Sequence, residues 1–189
     1  MSKSSAPVRR VGMGHLISFC SITLDGVIDS TAEWVTLTPE HQAHANELME
    51  SAEALVLGRN LYEGFKSVWP GLRDQSPIGP RINDMPKWVA SRTLSGPLEW
   101  EARLLEGDAM EALAAIKART DGYLVTTGGG RLAADLVKHG LVDEFRVYLN
   151  PVIWGGGRHL LHDLLEDQRF ELLRIGDAAG VPELVYRPL

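Results

Sequence analysis

With 189 residues and 44% apolar content, the chain can bury the core of one α/β domain without disulfides or a metal. Charged residues make up 23% and the formal net charge is -6, a field that repels phosphate backbones and anionic lipid and so excludes a general nucleic-acid or membrane-surface binder. An anionic ligand must then be held in a local pocket by a few placed Arg side chains and backbone amides.

Arg9 and Arg10 precede the apolar run Leu16 to Leu24, which imitates a signal peptide. Ser18, Ser21 and Thr23 interrupt that run, Asp25-Gly26 ends it, and no small-residue cleavage site follows. No stretch approaches the ~20 consecutive apolar residues needed to span a bilayer. Cys20 is the only cysteine and sits among Ile17, Phe19 and Ile22, a setting that favours a buried strand thiol in a reducing, cytoplasmic compartment. Residues 1–13 are expected as a disordered arm and 14–189 as a single domain.

Leu16 to Thr23 reads as the first strand, feeding a tight turn at Asp25-Gly26. Thr38-Pro39-Glu40 reads as an N-cap, a Pro at the first helical position and an acidic first turn, opening a helix through about Ser51. Ala54 to Leu57 is a buried strand ending at Gly58, and Asn60 to Ser67 a short helix. Trp69 to Pro86, with four prolines and two glycines in irregular order, reads as a long loop that covers a site. Lys87 to Ala90 and Leu98 to Leu104 are predicted strands, and Asp108 caps an Ala-rich helix to about Arg119. Tyr123 to Thr126 is another buried strand; Gly128-Gly129-Gly130 opens a helix to His139 that Gly140 stops. Phe145 to Leu149 follows, and Arg169 to Ile175 with Glu183 to Arg187 make a closing strand pair. Strands alternating with helices predict a mainly parallel sheet covered on both faces, with an antiparallel edge.

Three features carry candidate chemistry. Gly128-Gly129-Gly130 lies between an apolar strand and a helix, where backbone amides and the positive helix end hold a pyrophosphate, or where glycines simply let helix pack on strand. Arg59 after Gly58, and Ser91-Arg92-Thr93 after the third strand, stand at the carboxyl ends of neighbouring strands, the ligand crevice of an open α/β sheet. Two guanidiniums with hydroxyls there suit a phosphate ester, the group that distinguishes NADPH from NADH. The pairs His41/His44 and His159/His162 lack a third ligand at characteristic spacing, so no metal is expected, and Gly155-Gly156-Gly157 reads as a bend.

Ser21-Ile22-Thr23-Leu24-Asp25-Gly26, Val56-Leu57-Gly58-Arg59-Asn60-Leu61-Tyr62-Glu63, Trp88-Val89-Ala90-Ser91-Arg92-Thr93-Leu94, the Gly128 to Leu132 turn, and Gly140-Leu141-Val142-Asp143-Glu144 to Pro151-Val152-Ile153-Trp154-Gly155-Gly156-Gly157 occur in an informative order. Together they resemble the motifs of the dihydrofolate-reductase-like family, which includes the reductase domain of bacterial riboflavin biosynthesis. The resemblance spans roughly residues 14 to 187. It implies a three-layer α/β/α sandwich around a mixed, mostly parallel sheet, NADPH as cofactor, and a homodimer.

Carried over position by position, the resemblance sets Gly58, Arg59, Ser91 and Arg92 around the adenosine 2'-phosphate and Gly128, Gly129 and Gly130 around the pyrophosphate. Leu61 stands where family members usually have Thr, which removes a hydroxyl from the start of that helix. The carboxylate with which folate reductases hold the pterin aligns with Gln42, and Glu40 lies too early, so dihydrofolate reduction is disfavoured. Asp25 falls beside the nicotinamide, where it either orients a proton donor or satisfies turn amides. Trp34 and Tyr62 are the expected walls for a flat substrate ring.

The leading expectation is an NADPH-dependent reductase that delivers hydride to a C=N or C=O group of a small heterocyclic substrate. A narrower alternative is reduction of the phosphorylated ribosylamino-pyrimidine of riboflavin synthesis. A third, of another class, is a dimeric binding or regulatory module that has lost turnover.

Overall fold

The computed structural model describes residues 14–164 and 166–189; the arm expected over 1–13 lies outside the described residues. The first half of the chain forms β1 (His15–Thr23), α1 (Thr31–Trp34), α2 (Pro39–Ser51), β2 (Ala52–Gly58), α3 (Arg59–Val68), a 3-10 turn at Trp69–Leu72, α4 (Gly79–Asp84) and β3 (Lys87–Ala90). The second half forms β4 (Ala102–Leu104), α5 (Ala109–Arg119), β5 (Tyr123–Thr127), α6 (Arg131–Lys138), β6 (Glu144–Asn150), β7 (Phe170–Asp177) and β8 (Pro182–Pro188).

All eight strands join one sheet in the order β4-β3-β2-β5-β1-β6-β8-β7. The neighbours from β4 to β6 are parallel, and β8 runs antiparallel to both β6 and β7. Alternate residues of the central strands enter two apolar layers, as the two-residue strand period requires. Ile17, Leu55, Leu57 and Val125 pack with Leu48 and Met49 of α2, Tyr62 of α3 and Ile82 of α4. Leu16, Cys20, Val56, Leu124 and Val147 pack on the opposite face with Leu113 of α5 and Ala133, Leu136 and Val137 of α6. This is the three-layer α/β/α sandwich with a mixed, mostly parallel sheet. Burial pushes the Cys20 thiol up to about 12, which leaves it a small apolar core residue.

The caps form from the expected residues. Thr38 Oγ1 accepts the His41 amide at 3.0 Å, and one carboxylate oxygen of Asp108 accepts the Met110 and Glu111 amides at 2.9 and 3.0 Å.

Two expectations are corrected. The stretch Trp69–Pro86 is not an open loop over a site: the 3-10 turn and α4 fold it back, and Ile78, Ile82 and Met85 enter the apolar layer beside α2. Two of its four prolines act as helix starters, since Pro70 and Pro80 stand in the first turns of those two elements. The Lys87 ammonium closes the segment by donating to the carbonyls of Asn83 and Met85 at 2.7 and 2.8 Å. The strand expected over Leu98–Leu104 shortens to Ala102–Leu104, because Trp100 and Glu101 adopt left-handed φ values of 61° and 52° that no strand accommodates.

One buried ion pair ties α5 to the central sheet. Lys117, 5% exposed, donates to the Leu141 carbonyl at 2.8 Å and lies 2.5 Å from an Asp143 oxygen that also accepts the Leu16 amide. Removing the ammonium strands a carboxylate and a carbonyl at the amino end of β1. Because Asp143 keeps some solvent, Lys117→Met is expected to cost about 2 to 3 kcal/mol of unfolding free energy in a urea titration; a loss below roughly 0.5 kcal/mol rules the pair out as a structural tie.

Candidate functional site

Parallel strands bring all their carboxyl ends to one edge, and each following helix presents its free amides there. From β2 the chain enters α3 on one face of the sheet; from the adjacent β5 it enters α6 on the other. The two connections diverge between neighbouring strands, which opens a crevice at this edge.

Gly58 is the N-cap of α3 and Gly130 that of α6; neither helix has a side-chain cap or an acidic residue in its first turn. The positive ends of both helices are therefore uncompensated toward the crevice. Gly128 has a φ of 85°, which its missing Cβ permits, and its amide donates to the Phe19 carbonyl at 2.9 Å. The amides of Gly129 and Gly130 have no hydrogen-bond partner among the described residues. A Cβ on Gly129 would lie 2.4 Å from Leu160 Cδ1, so close packing accounts for that glycine; one on Gly130 would meet nothing within 4 Å.

Gly58 pairs in register with Ala90, so the residues that follow each strand start side by side. Arg59 donates through Nη1 to Thr93 Oγ1 at 2.8 Å and through Nε to Glu63 Oε1 at 2.9 Å. Ser91 Oγ accepts the amides of Thr93 and Leu94, which shapes the turn carrying Arg92. Arg92 is exposed and makes no ion pair among the described residues. The structure thus brings together Gly58, Arg59, Ser91 and Arg92 on the ends of β2 and β3, next to Gly128, Gly129 and Gly130 at the end of β5.

Asp25 follows β1, in the turn on the same edge. Its carboxylate accepts the Thr23 hydroxyl, the Gly155 amide at 2.8 Å and the Trp154 amide at 3.2 Å. These hydrogen bonds, the Thr23 hydroxyl first, hold its pKa down to about 2. Of the two roles left open for Asp25, satisfying loop amides is the one its contacts perform.

Trp34 and Tyr62 are both buried, 7% and 3% exposed. Tyr62 lies in the apolar layer under α3 and donates its hydroxyl to the Glu99 carbonyl, and the Trp34 indole N–H donates to the Asp29 carbonyl at 2.7 Å. Tyr62 is therefore a core side chain and not an open wall, a correction that follows from the phase of α3. Leu61, which lacks the hydroxyl, packs at the margin of the same layer. In α2 the inward residue is His41, not Gln42: its ring stacks on Tyr148 with centroids 4.3 Å apart, and Nδ1 lies 3.2 Å from the Thr36 carbonyl. Sequence reading also missed Asp29 and Arg158, whose joint geometry depends on a contact 129 residues apart.

A separate cavity of about 500 Å³ lies between α2 and the strands near the amino ends of β1 and β5, lined by Ile17, His44, Leu48, Arg146, Arg174 and Glu183. Its buried Glu183 is already paired with Arg174 at 2.6 Å. No helix among the described residues is long and apolar enough to cross a membrane.

Comparisons with known proteins bear on the fold and the family. An uncharacterised Bacillus subtilis protein, YyaP, is 24% identical over 181 residues, covering 91% of this chain and 94% of its own. A Thermotoga maritima diaminohydroxyphosphoribosylaminopyrimidine deaminase/5-amino-6-(5-phosphoribosylamino)uracil reductase superposes with a TM-score of 0.70 at 17% identity, over 94% of this chain and 57% of its own. Dihydrofolate reductase from Enterococcus faecalis, solved with NADP(H), superposes with a TM-score of 0.61 at 14% identity, over 94% of this chain and 98% of its own. These likenesses establish the dihydrofolate-reductase-like fold. The model of the RibD C-terminal domain matches residues 14–178, and the chain belongs to that family.

Proposed function

We propose that the chain is an NADPH-dependent reductase that transfers hydride to a C=N or C=O group of a small heterocyclic substrate in the cytoplasm. The observation that carries this reading is the pair of unpartnered amides at Gly129 and Gly130, heading α6, beside Arg59 and Arg92 on the neighbouring strand ends. Amides and a positive helix end fit a pyrophosphate; two guanidiniums and the Ser91 and Thr93 hydroxyls fit a 2'-phosphate. Gly130 supports the fit, since no internal contact demands a glycine there and the open space admits an anion. When bound, NADPH supplies the hydride, and the protein's task is to hold acceptor and donor carbons about 3 to 3.5 Å apart in a dry site.

A proton must accompany the hydride. Asp25 is a poor source for it, because three hydrogen bonds stabilise its anion. Its role in this reading is to tether the Trp154-Gly155 backbone over the crevice.

Reduction of a phosphorylated ribosylamino-pyrimidine is the second reading, favoured by membership of the RibD C-terminal domain family. A homodimer is also proposed: Leu172, Leu173 and Ile175 are exposed on β7, an edge strand whose outer side has no partner strand among the described residues and is of the sort that pairs with another chain.

Titrating the protein with NADPH and with NADH, read by tryptophan fluorescence, tests the cofactor. Tight NADPH and weak NADH binding are expected, with Arg59→Ala and Arg92→Ala each weakening NADPH roughly 10- to 100-fold, the worth of a charge-assisted hydrogen bond. No binding of either up to about millimolar, a ceiling worth only ~4 kcal/mol, overturns the reductase and favours a module without turnover.

An NMR titration tests Asp25. A depressed folded pKa stabilises the fold above the ordinary carboxylate value and loses that contribution as pH falls through the folded value. The Trp154 and Gly155 amide shifts are therefore expected to hold down to a midpoint at pH about 2; a midpoint above about 6 overturns the tether and would let Asp25 itself supply a proton.

A further inference from the structure

Two segments lie together over the carboxyl edge and are joined along their length. Leu24 donates its amide to Val152 O, Ile28 to Arg158 O, and Leu160 to Gly26 O, each within 2.8 to 2.9 Å, and Val27 bridges His159. A carboxylate–guanidinium clamp closes this pairing. Asp29 Oδ1 accepts Arg158 Nη2 at 2.7 Å and Nε at 2.9 Å, while Oδ2 accepts the Arg158 backbone amide at 2.8 Å. The Arg158 hydrogen bonds, side chain first, hold the Asp29 carboxyl below its usual range.

The clamped pair rests on the triple-glycine turn. The Leu160 side chain fills the space a Cβ on Gly129 would need, with Ile28 beside it. The next residue, Leu161, donates its amide to the Gly129 carbonyl at 2.7 Å and has a φ of 53°. A leucine in the left-handed region is strained, so the surrounding contacts impose this conformation.

In a trans peptide the C=O and the following N–H point in opposite directions. Leu161 pulls the Gly129 carbonyl toward the covering segment, and the Gly130 N–H, which has no partner among the described residues, is thereby turned away from it. We propose that Asp29 and Arg158 are positioning residues for an anionic cofactor group: they hold the segment whose Leu161 amide orients the Gly130 N–H toward the pyrophosphate. This inference rests on the NADPH reading and adds two residues, a clamp that closes three residues before Leu161, that set the aim of a donor at the turn. It also couples the cover over the crevice to the cradle beneath it.

The test uses Asp29→Asn, Arg158→Gln and Arg158→Lys in the full chain, with NADPH and adenosine 2'-monophosphate as probes. The second probe lacks the pyrophosphate and reports only on the Arg59 and Arg92 side. Expected are about tenfold weaker NADPH binding in Asp29→Asn and Arg158→Gln, the loss from one misaimed hydrogen bond to a charged group, and an intermediate loss in Arg158→Lys. Adenosine 2'-monophosphate affinity should be unchanged, which a general loss of folding would not allow. Hydrogen exchange at Leu161 should rise while that of β2 holds. Wild-type NADPH affinity in both neutralised variants, or an equal loss for both probes, overturns the clamp and leaves the reductase reading intact. A wild-type protein that binds no NADPH overturns both.

Discussion

Six parallel strands with a common direction decide where this molecule can act. An isolated helix N-terminus is a weak attraction for an anion, worth roughly 0.3 to 1 kcal/mol near the surface. Here α3 and α6 follow adjacent strands on opposite faces, so their positive ends flank one crevice instead of being spread over the surface. The absence of capping side chains at Gly58 and Gly130 fits the same arrangement. A Ser or Asp at either position would satisfy the amides internally and withdraw them from a ligand. The chain carries a formal net charge of -6, and the crevice gathers fixed positive ends and arginines against that background.

Local chemistry was legible in the sequence where one residue sets one geometry. Thr38-Pro39 and Asp108 start their helices because capping needs only a side-chain oxygen within three residues of the amides it serves. Trp69–Pro86 was misread because proline carries two opposite meanings: it breaks a helix from within and starts one from its first turn. Which meaning holds is decided by burial of Ile78, Ile82 and Met85, a tertiary fact. Likewise nothing local announces the left-handed pair Trp100-Glu101 that cuts β4 short; the Trp100 indole reaches Asn83 Oδ1 at 2.7 Å, a contact made only in the folded chain.

The candidate site divides along the same line. Glycines and arginines immediately after apolar strands could be assigned to the ligand edge from spacing alone, because strand direction and crossover handedness leave few alternatives. Side-chain direction within helices could not. One residue along a helix turns the side chain by about 100°, so His41 is buried where Gln42 is exposed, and Tyr62 points into the core instead of lining an open wall. Contacts between distant loops were least accessible. Sequence leaves Asp25 either to orient a proton donor or to satisfy turn amides; only the approach of Trp154 and Gly155 shows what occupies its lone pairs.

The carboxylates along the carboxyl edge are taken up by partners within the loops. Asp25 and Asp29 turn their oxygens to backbone amides and to Arg158, so their negative charge is spent within the covering loops. Arg59 is held by Glu63 and Thr93. Asp25 and Asp29 therefore fix the cover, and Arg92 stands without an ion-pair partner among the described residues. In the proposed reductase reading the hydride comes from the cofactor, and the protein contributes chiefly by placement. Rigid tethers on one side of the crevice and available donors on the other are the form that placement takes in this chain.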